Sequence, residues 1–194
     1  RTSVNSGYTV RFFNLESFPT DASTYSKNNK YYLKKAISNG LTFSLDAFNL
    51  DDFCRVHDAM AQIKDIGHLK VVRGDLQILH KFFGNKLKLA NVKKDGATVA
   101  VALMIFHHKL MYYFLAGSTE EGRKQSASFM MVDEILKLGK SLALKEFDFG
   151  GISPFDPTVA GINRFKMGFG GTVVNYVGEK NLCHSSLLRK LFDF

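Results

Sequence analysis

Apolar and polar positions recur along this chain with two different periods, and the points where one gives way to the other divide it into elements. YTVRFFNL, residues 8 to 15, changes side at every residue, with Val10, Phe12 and Asn14 on one face and Arg11 and Phe13 on the other, which predicts a strand. After Pro19 the spacing lengthens. Tyr25, Leu33 and Ile37 recur at roughly helical intervals, and Lys27, Lys30, Lys34 and Lys35 take the remaining surface, so a basic helix is expected, stopped by Asn39-Gly40. LTFSLDAF returns to alternation from Leu41 to Leu45, another strand. A helix capped by Asn49 or Asp51 follows, with Phe53, Val56, Met60 and Ile63 as its apolar stripe. GHLKVVR, residues 67 to 73, is ambiguous, and DLQILHKFF, residues 75 to 83, predicts a shorter helix ending near Gly84.

From Lys86 the period is two. KLKLANVKKDGATVAVALMIF reads as two strands around Lys94-Asp95-Gly96-Ala97, a strong hairpin signal. HHKLMYYFLAG adds a third strand through a His107-His108-Lys109 turn, completing an antiparallel meander at Gly117. Ser118 to Arg123 reads as a polar loop. Ala127 to Leu142 is a helix: Phe129, Met130, Val132, Ile135, Leu136, Leu138 and Leu142 form its stripe, leaving Asp133, Glu134, Lys137 and Lys140 for the other side. It crosses to KEFDF, a strand expected to run parallel to the last strand of the meander, which makes the sheet mixed.

Residues 147 to 171, FDFGGISPFDPTVAGINRFKMGFGG, then change character three times. A short apolar strand meets a Gly-Gly break, a Pro-bounded loop and a short amphipathic segment that runs into Gly170-Gly171. An open α/β sheet builds its site at such strand ends. TVVNYV, a further strand, and HSSLLRKLF, a basic tail helix, close the chain. No internal repeat or linker divides it, so one α/β domain is expected over residues 1 to 194.

Composition narrows the picture. With 194 residues, 45% hydrophobic and 23% charged, the chain can bury a core without staples and is neither disordered nor of low complexity. No window approaches the roughly 18 uncharged apolar residues that a spanning helix needs. RTSVNSGYTV carries no secretion signal, and the start at Arg suggests a processed product or the carboxyl part of something longer. Cys54 and Cys183 are far apart, without metal spacing and without His at a ligand interval, which argues for reduced thiols in a cytoplasmic compartment and no metal site. The net charge of +8 favours polyanionic partners such as nucleic acid, anionic lipid headgroups or a phosphate-bearing cosubstrate, and does not choose among them.

Several residues stand where chemistry is possible. The loop GSTEEGRKQSAS leads into a helix, whose amino end exposes unpaired N-H groups and a partial positive charge. Arg123, Ser126 and Ser128 are therefore candidate phosphate ligands, set against a simple Ser-capped helix. Glu120 and Glu121 are candidate bases by position, set against two solvated acids. Tyr112 and Tyr113 alternate, so one of them faces the surface where a donor would lie. Asp148 either orients an attacking amine or accepts from the N-H groups of Gly150 and Gly151, and the second role is favoured. His107 and His108 read as surface residues of a turn. Phe165 and Lys166 read as a core ring and a solvated lysine, or as a site pair.

Two resemblances bear on these residues. Arg123, Ser126 and Ser128 keep the interval at which GNAT N-acetyltransferases place Arg or Gln, Gly, then Gly or Ala around the coenzyme A pyrophosphate, and the order of elements also resembles GNAT. Both glycine positions are Ser here. FDFGGI, the later AGINRFKMGFGG and the strand ending in YVGE resemble the carboxyl-terminal signature of the FemABX aminoacyltransferases, which build interpeptide bridges of bacterial peptidoglycan. SKNNKYYLKKAISNGLTFSL is similar to the basic helix and following strand of that family. YYFLAGSTEEGRKQSASFMMVDEILKLGKSLALKEFDFGG is similar to its strand, loop and helix.

The resemblance implies a GNAT-like mixed, mostly antiparallel sheet with flanking helices and a splayed parallel strand pair. It implies aminoacyl or acyl transfer to a primary amine, with aminoacyl-tRNA as donor and a muropeptide as acceptor, in cytoplasmic cell-wall biosynthesis. The Arg123 interval also permits acetyl-CoA or another acyl-CoA as donor. Carried over by resemblance, Phe165 lines the channel, Lys166 stabilises charge on the reacting carbonyl, and Arg73 faces the acceptor. The Tyr that a GNAT places four residues before Gly168 is Arg164 here. FemABX proteins carry two GNAT-like domains and this chain has room for one. It is then either a carboxyl half completed by an amino-terminal domain or a second copy, or a single-domain relative. The alternative is a non-catalytic GNAT-like domain binding nucleic acid or an anionic surface, which the charge and the tail residues Arg189 and Lys190 would suit.

Overall fold

Turn chemistry sets the meander. The computed structural model of the chain describes residues 7–63 and 72–177. β1 (Tyr8–Phe13) and β2 (Thr42–Ala47) precede three consecutive strands, β3 (Leu87–Lys94), β4 (Ala97–His107) and β5 (Leu110–Ser118). Only Asp95 and Gly96 separate β3 from β4, both at positive φ (49° and 81°), the two-residue geometry whose twist matches that of the flanking strands. β6 (Glu146–Ile152) and β7 (Thr172–Asn175) complete one sheet of seven strands in the order β2-β3-β4-β5-β6-β1-β7. All neighbours are antiparallel except β5 and β6.

Helices cover both faces. In α1 (Lys27–Ser38) the first turn is closed by Ser26, whose hydroxyl accepts the Asn29 N–H at 3.2 Å. α2 (Leu50–Ile63) is capped by Asn49 and not Asp51: its Oδ1 accepts from the amides of Asp51 (3.0 Å) and Asp52 (3.1 Å). α3 is Arg73–Phe83, two residues longer at its start than the pattern predicts, while Gly67 to Val71 of the ambiguous stretch lie outside the described residues. The tail segment HSSLLRKLF and Cys183 also lie outside them. The expected polar loop after β5 is instead a helical turn, α4 (Glu120–Lys124), because the Thr119 hydroxyl accepts the Gly122 N–H at 3.0 Å and starts a helix there. α5 (Ala127–Ser141) and α6 (Ala160–Met167) flank β6 in sequence.

The alternation along β3 and β4 sorts the core. Ala90, Val92, Ala100, Ala102 and Met104 join the cluster that includes Leu33 of α1 and Val132 and Ile135 of α5. Leu87, Leu89, Val101 and Leu103 face the other way, onto Phe53 and Val56 of α2 and Leu76 of α3. Phe147, Phe149 and Phe169 are fully buried, each contributing roughly 2–3 kcal/mol relative to exposure. α5 departs from its pattern at two positions: it ends at Ser141, leaving Leu142 of the expected stripe exposed, and its polar side is not all exposed. Asp133, assigned by periodicity to the polar side, is only 2% exposed, because its carboxylate is satisfied by the Tyr25 hydroxyl (2.9 Å) and the Lys137 ammonium (2.7 Å). Among the described residues no helix is long and apolar enough to cross a membrane.

Candidate active site

β5 and β6 pair in parallel over three residues only, Leu110 to Tyr112 against Glu146 to Asp148, and separate beyond them. A cavity of about 470 Å³ fills the gap, walled by Tyr112 to Ser118 of β5, Gly150 and Gly151 of β6, Ile162, Phe165 and Lys166 of α6, and Phe129 of α5. β5 also carries a bulge at this level. Leu103 pairs with Leu115 and Met104 with Tyr113, so Phe114 is an extra residue that bends the strand where its partner leaves. On the opposite wall Gly150 sits at φ 78°, a conformation that L side chains rarely adopt. A Cβ there would stand 3.1 Å from the Tyr113 carbonyl oxygen, 3.5 Å from Lys166 Nζ and 3.9 Å from the Tyr112 ring, so this glycine is the point on which the site converges.

Lys166 reaches back from α6 across the Gly150-Gly151 end of β6. Its Nζ donates to the Gly151 carbonyl at 2.9 Å and lies 5.4 Å from the centre of the Phe149 ring. Burial lowers its pKa to about 8, and the negative charge of Asp148 pulls the other way. No carboxylate forms an ion pair with it among the described residues. Phe165, its neighbour, packs edge-on to Phe129 (5.0 Å), Phe149 (5.7 Å) and Phe169 (5.3 Å), and its carbonyl accepts from Asn29 Nδ2 at 3.0 Å. These contacts fix the last turn of α6, and with it the direction of the lysine.

The other nominated residues divide. Tyr112 lines the cavity half-buried, its phenol pushed upward in pKa by burial and then by Asp148. Tyr113 borders the cavity, but its ring is in the core, 5.0 Å from Phe149 with its hydroxyl 3.9 Å from Met131 Sδ. Arg123 and Ser128 stand on the wall at the α5 end. Ser126 does not: it is buried at φ 63°, its side chain caps nothing, and its backbone closes the α4–α5 junction. Asp148 is also withdrawn. One oxygen accepts from Thr9 Oγ1 (2.5 Å) and the Gly150 N–H (2.9 Å), the other from the Tyr176 hydroxyl (3.0 Å), with Arg11 Nε at 3.5 Å, so it ties β6 to β1 and to the end of β7. Arg73 is remote from the cavity wall, at the start of α3, where it pairs with Asp51 at 2.7 Å. Glu120 and Glu121 are held on the α4 surface by Lys124 (2.9 Å) and Gln125 (2.6 Å).

Phe129, Ile162, Met60 and the Phe114 bulge belong to the wall without having been singled out as site residues. Phe129 and Met60 were legible only as members of helical stripes, because a stripe does not distinguish the core from a cavity lining.

The sequence model of the FemAB family matches residues 73–194. The chain belongs to the FemAB family. Among solved structures it superposes on FemX with a TM-score of 0.80 at 12% identity, over 98% of this chain and 65% of that one. L-PGS from Bacillus licheniformis matches with a TM-score of 0.60 at 14% identity, over 92% of this chain and 62% of that one. An aminoglycoside acetyltransferase from an uncultured soil metagenomic sample, in complex with sisomicin, matches at 0.50 and 13% identity, over 77% of this chain and 96% of that one. No curated protein matches. At these identities the likeness is one of fold, and the fold is GNAT-like. The FemAB chain described here spans 65% and 62% of the length of FemX and L-PGS.

Proposed function

We propose that this FemAB-family chain is an N-acyltransferase moving an aminoacyl or acyl group from an activated donor to a primary amine. The observation that carries the reading is Lys166, a half-buried ammonium with no ion-pair partner among the described residues, aimed into a cleft between two parted parallel strands. When an amine nitrogen attacks an ester or thioester carbonyl, negative charge collects on the carbonyl oxygen. A fixed ammonium facing that oxygen lowers the barrier by roughly 2.7–4 kcal/mol. The new C–N bond replaces the C–O or C–S bond to the donor, and the proton lost by the amine goes to the departing oxygen or sulfur.

Aminoacyl-tRNA is the donor this reading favours. Ser at 126 and 128 narrows the cradle that a coenzyme A pyrophosphate would use, and Ser126 is buried off the cavity wall. The acceptor is a muropeptide amine and the product the aminoacylated muropeptide, from which an interpeptide bridge is built, made in the cytoplasm. The rest of the acceptor site comes from an amino-terminal GNAT-like domain or a second copy. The test is an isotope-transfer assay on the full-length protein, with labelled aminoacyl-tRNA and labelled acetyl-CoA offered separately with a muropeptide amine. Label passing from aminoacyl-tRNA alone is expected. Transfer from acetyl-CoA alone overturns the bridge-forming assignment, and salt-sensitive tRNA binding without any transfer indicates a non-catalytic domain.

A further inference from the structure

α1 carries four lysines and no carboxylate. Lys27, Lys30, Tyr31 and Lys34 fall at i, i+3, i+4 and i+7, one face of the helix, while Asn29, Leu33 and Ala36 are buried on the other. All four are exposed, and Tyr31 shows 66% of its surface. None of the lysines forms an ion pair among the described residues; Lys30 only donates to the Ser23 carbonyl at 3.1 Å. A positive face with a flat ring set among its charges is not required by the packing of α1.

That face connects to the cavity through a run of aromatic rings. Tyr31 meets Tyr32 edge-on at 5.2 Å, Tyr32 stacks on Phe129 at 4.8 Å with 26° between the planes, and Phe129 meets Phe165 at 5.0 Å. Phe129 and Phe165 both line the cavity beside Lys166. The position of the run is fixed as well. Asn29 Nδ2 donates to the Phe165 carbonyl at 3.0 Å, and the Ser26 N–H donates to the Gly168 carbonyl at 2.8 Å, so α1 is bonded to the end of α6 that carries Lys166.

We propose that the lysine face of α1 is the docking track for the single-stranded 3′ end of a nucleic-acid donor, guiding its acylated terminus into the cavity. Lysines at helical spacing meet successive phosphates, and Tyr31 offers a surface on which a base of any identity can stack. An anionic bilayer would be met by the lysines equally well, but it has no use for rings that lead inward to the cavity. The inference rests on the transferase reading with aminoacyl-tRNA as donor, and it adds where that donor lies.

The full-length protein tests it with uncharged tRNA for binding and labelled aminoacyl-tRNA for transfer. The triple variant Lys27→Glu, Lys30→Glu, Lys34→Glu should weaken tRNA binding at least tenfold. It should also flatten the slope of log K against log salt by about 2, since each lost phosphate contact removes roughly 0.7–0.9. Tyr31→Ala should raise KM for aminoacyl-tRNA several-fold with the salt slope and kcat unchanged. Because these side chains are exposed, the melting temperature should stay near that of the parent. Unaltered KM and slope in a variant that still transfers would overturn the track and leave the transferase reading standing. Loss of binding to vesicles of anionic phospholipid, with tRNA binding intact, would assign the face to a membrane. Transfer from acetyl-CoA alone would instead remove the reading on which the track rests.

Discussion

A lysine set among glycine backbone and aromatic rings is less well solvated than in water, and this has opposite consequences for folding and for chemistry. Lys166 titrates near 8 in the folded chain against 10.5 ordinarily, so between those values the unfolded state binds more protons. Stability therefore rises with pH across that window, and the cost of burying the charge is fully present below about 8. Lys166→Met should accordingly be more stable than the parent at pH 7, by ~2 kcal/mol, in denaturant titrations that converge above pH 10. The same variant should lose transfer by about 10²–10³ in kcat. In the parent, kcat should fall as pH rises through about 8, where the ammonium is lost; a rate independent of pH across that range would mean that Lys166 carries no charge needed by the reaction. Gly150→Ala tests the wall facing it. Positive φ costs an alanine roughly 1–2 kcal/mol, and its methyl would press on the Tyr113 carbonyl oxygen at 3.1 Å while meeting Lys166 Nζ in ordinary contact at 3.5 Å, so the melting temperature should drop, and kcat with it as the wall shifts.

At the scale of elements, β6 and its loop were legible in the sequence because Gly150-Gly151 and the two prolines punctuate an apolar run, and each sign is local. Capping decided what was not. Thr119 turned a polar loop into α4, and to the Gly150 N–H expected on Asp148 the fold added the Thr9 and Tyr176 hydroxyls, which make that carboxylate a tie between β6, β1 and the end of β7. No periodicity reveals partners 139 residues away, such as Thr9. Asp148→Ala should cost about 1–3 kcal/mol in thermal or chemical unfolding, since it leaves the buried Thr9 hydroxyl and Gly150 N–H without their acceptor. A loss of activity with full stability would return Asp148 to the substrate. The bulge at Phe114 and the placing of Arg73 on Asp51 were likewise invisible, one being a property of strand register and the other of an interhelix contact.

For the whole molecule, the meander could be read from the chain because β3, β4 and β5 are joined by tight turns, whereas the insertion of β1 between β6 and β7 could not. The FemAB assignment rests on matches spread over residues 73–194, a stretch holding the meander, α5, β6 and Lys166. The seam of three paired residues between β5 and β6 should also divide the sheet kinetically. On one side, β3 to β5 come from a continuous run, Leu87 to Ser118, joined by tight turns, and β2 adds to its edge. On the other, β6, β1 and β7 gather strands from both ends of the described chain, so their pairing waits on the closure of long loops. Native-state hydrogen exchange should find the amides of Val10 and Phe147 opening at lower free energy than those of Val101 and Leu103; equal values would mean a single cooperative unit. With the expected result the cleft lies on the border between a part of the protein that opens late and a part that opens early, and a modest destabilisation of β1 should widen it before the meander unfolds.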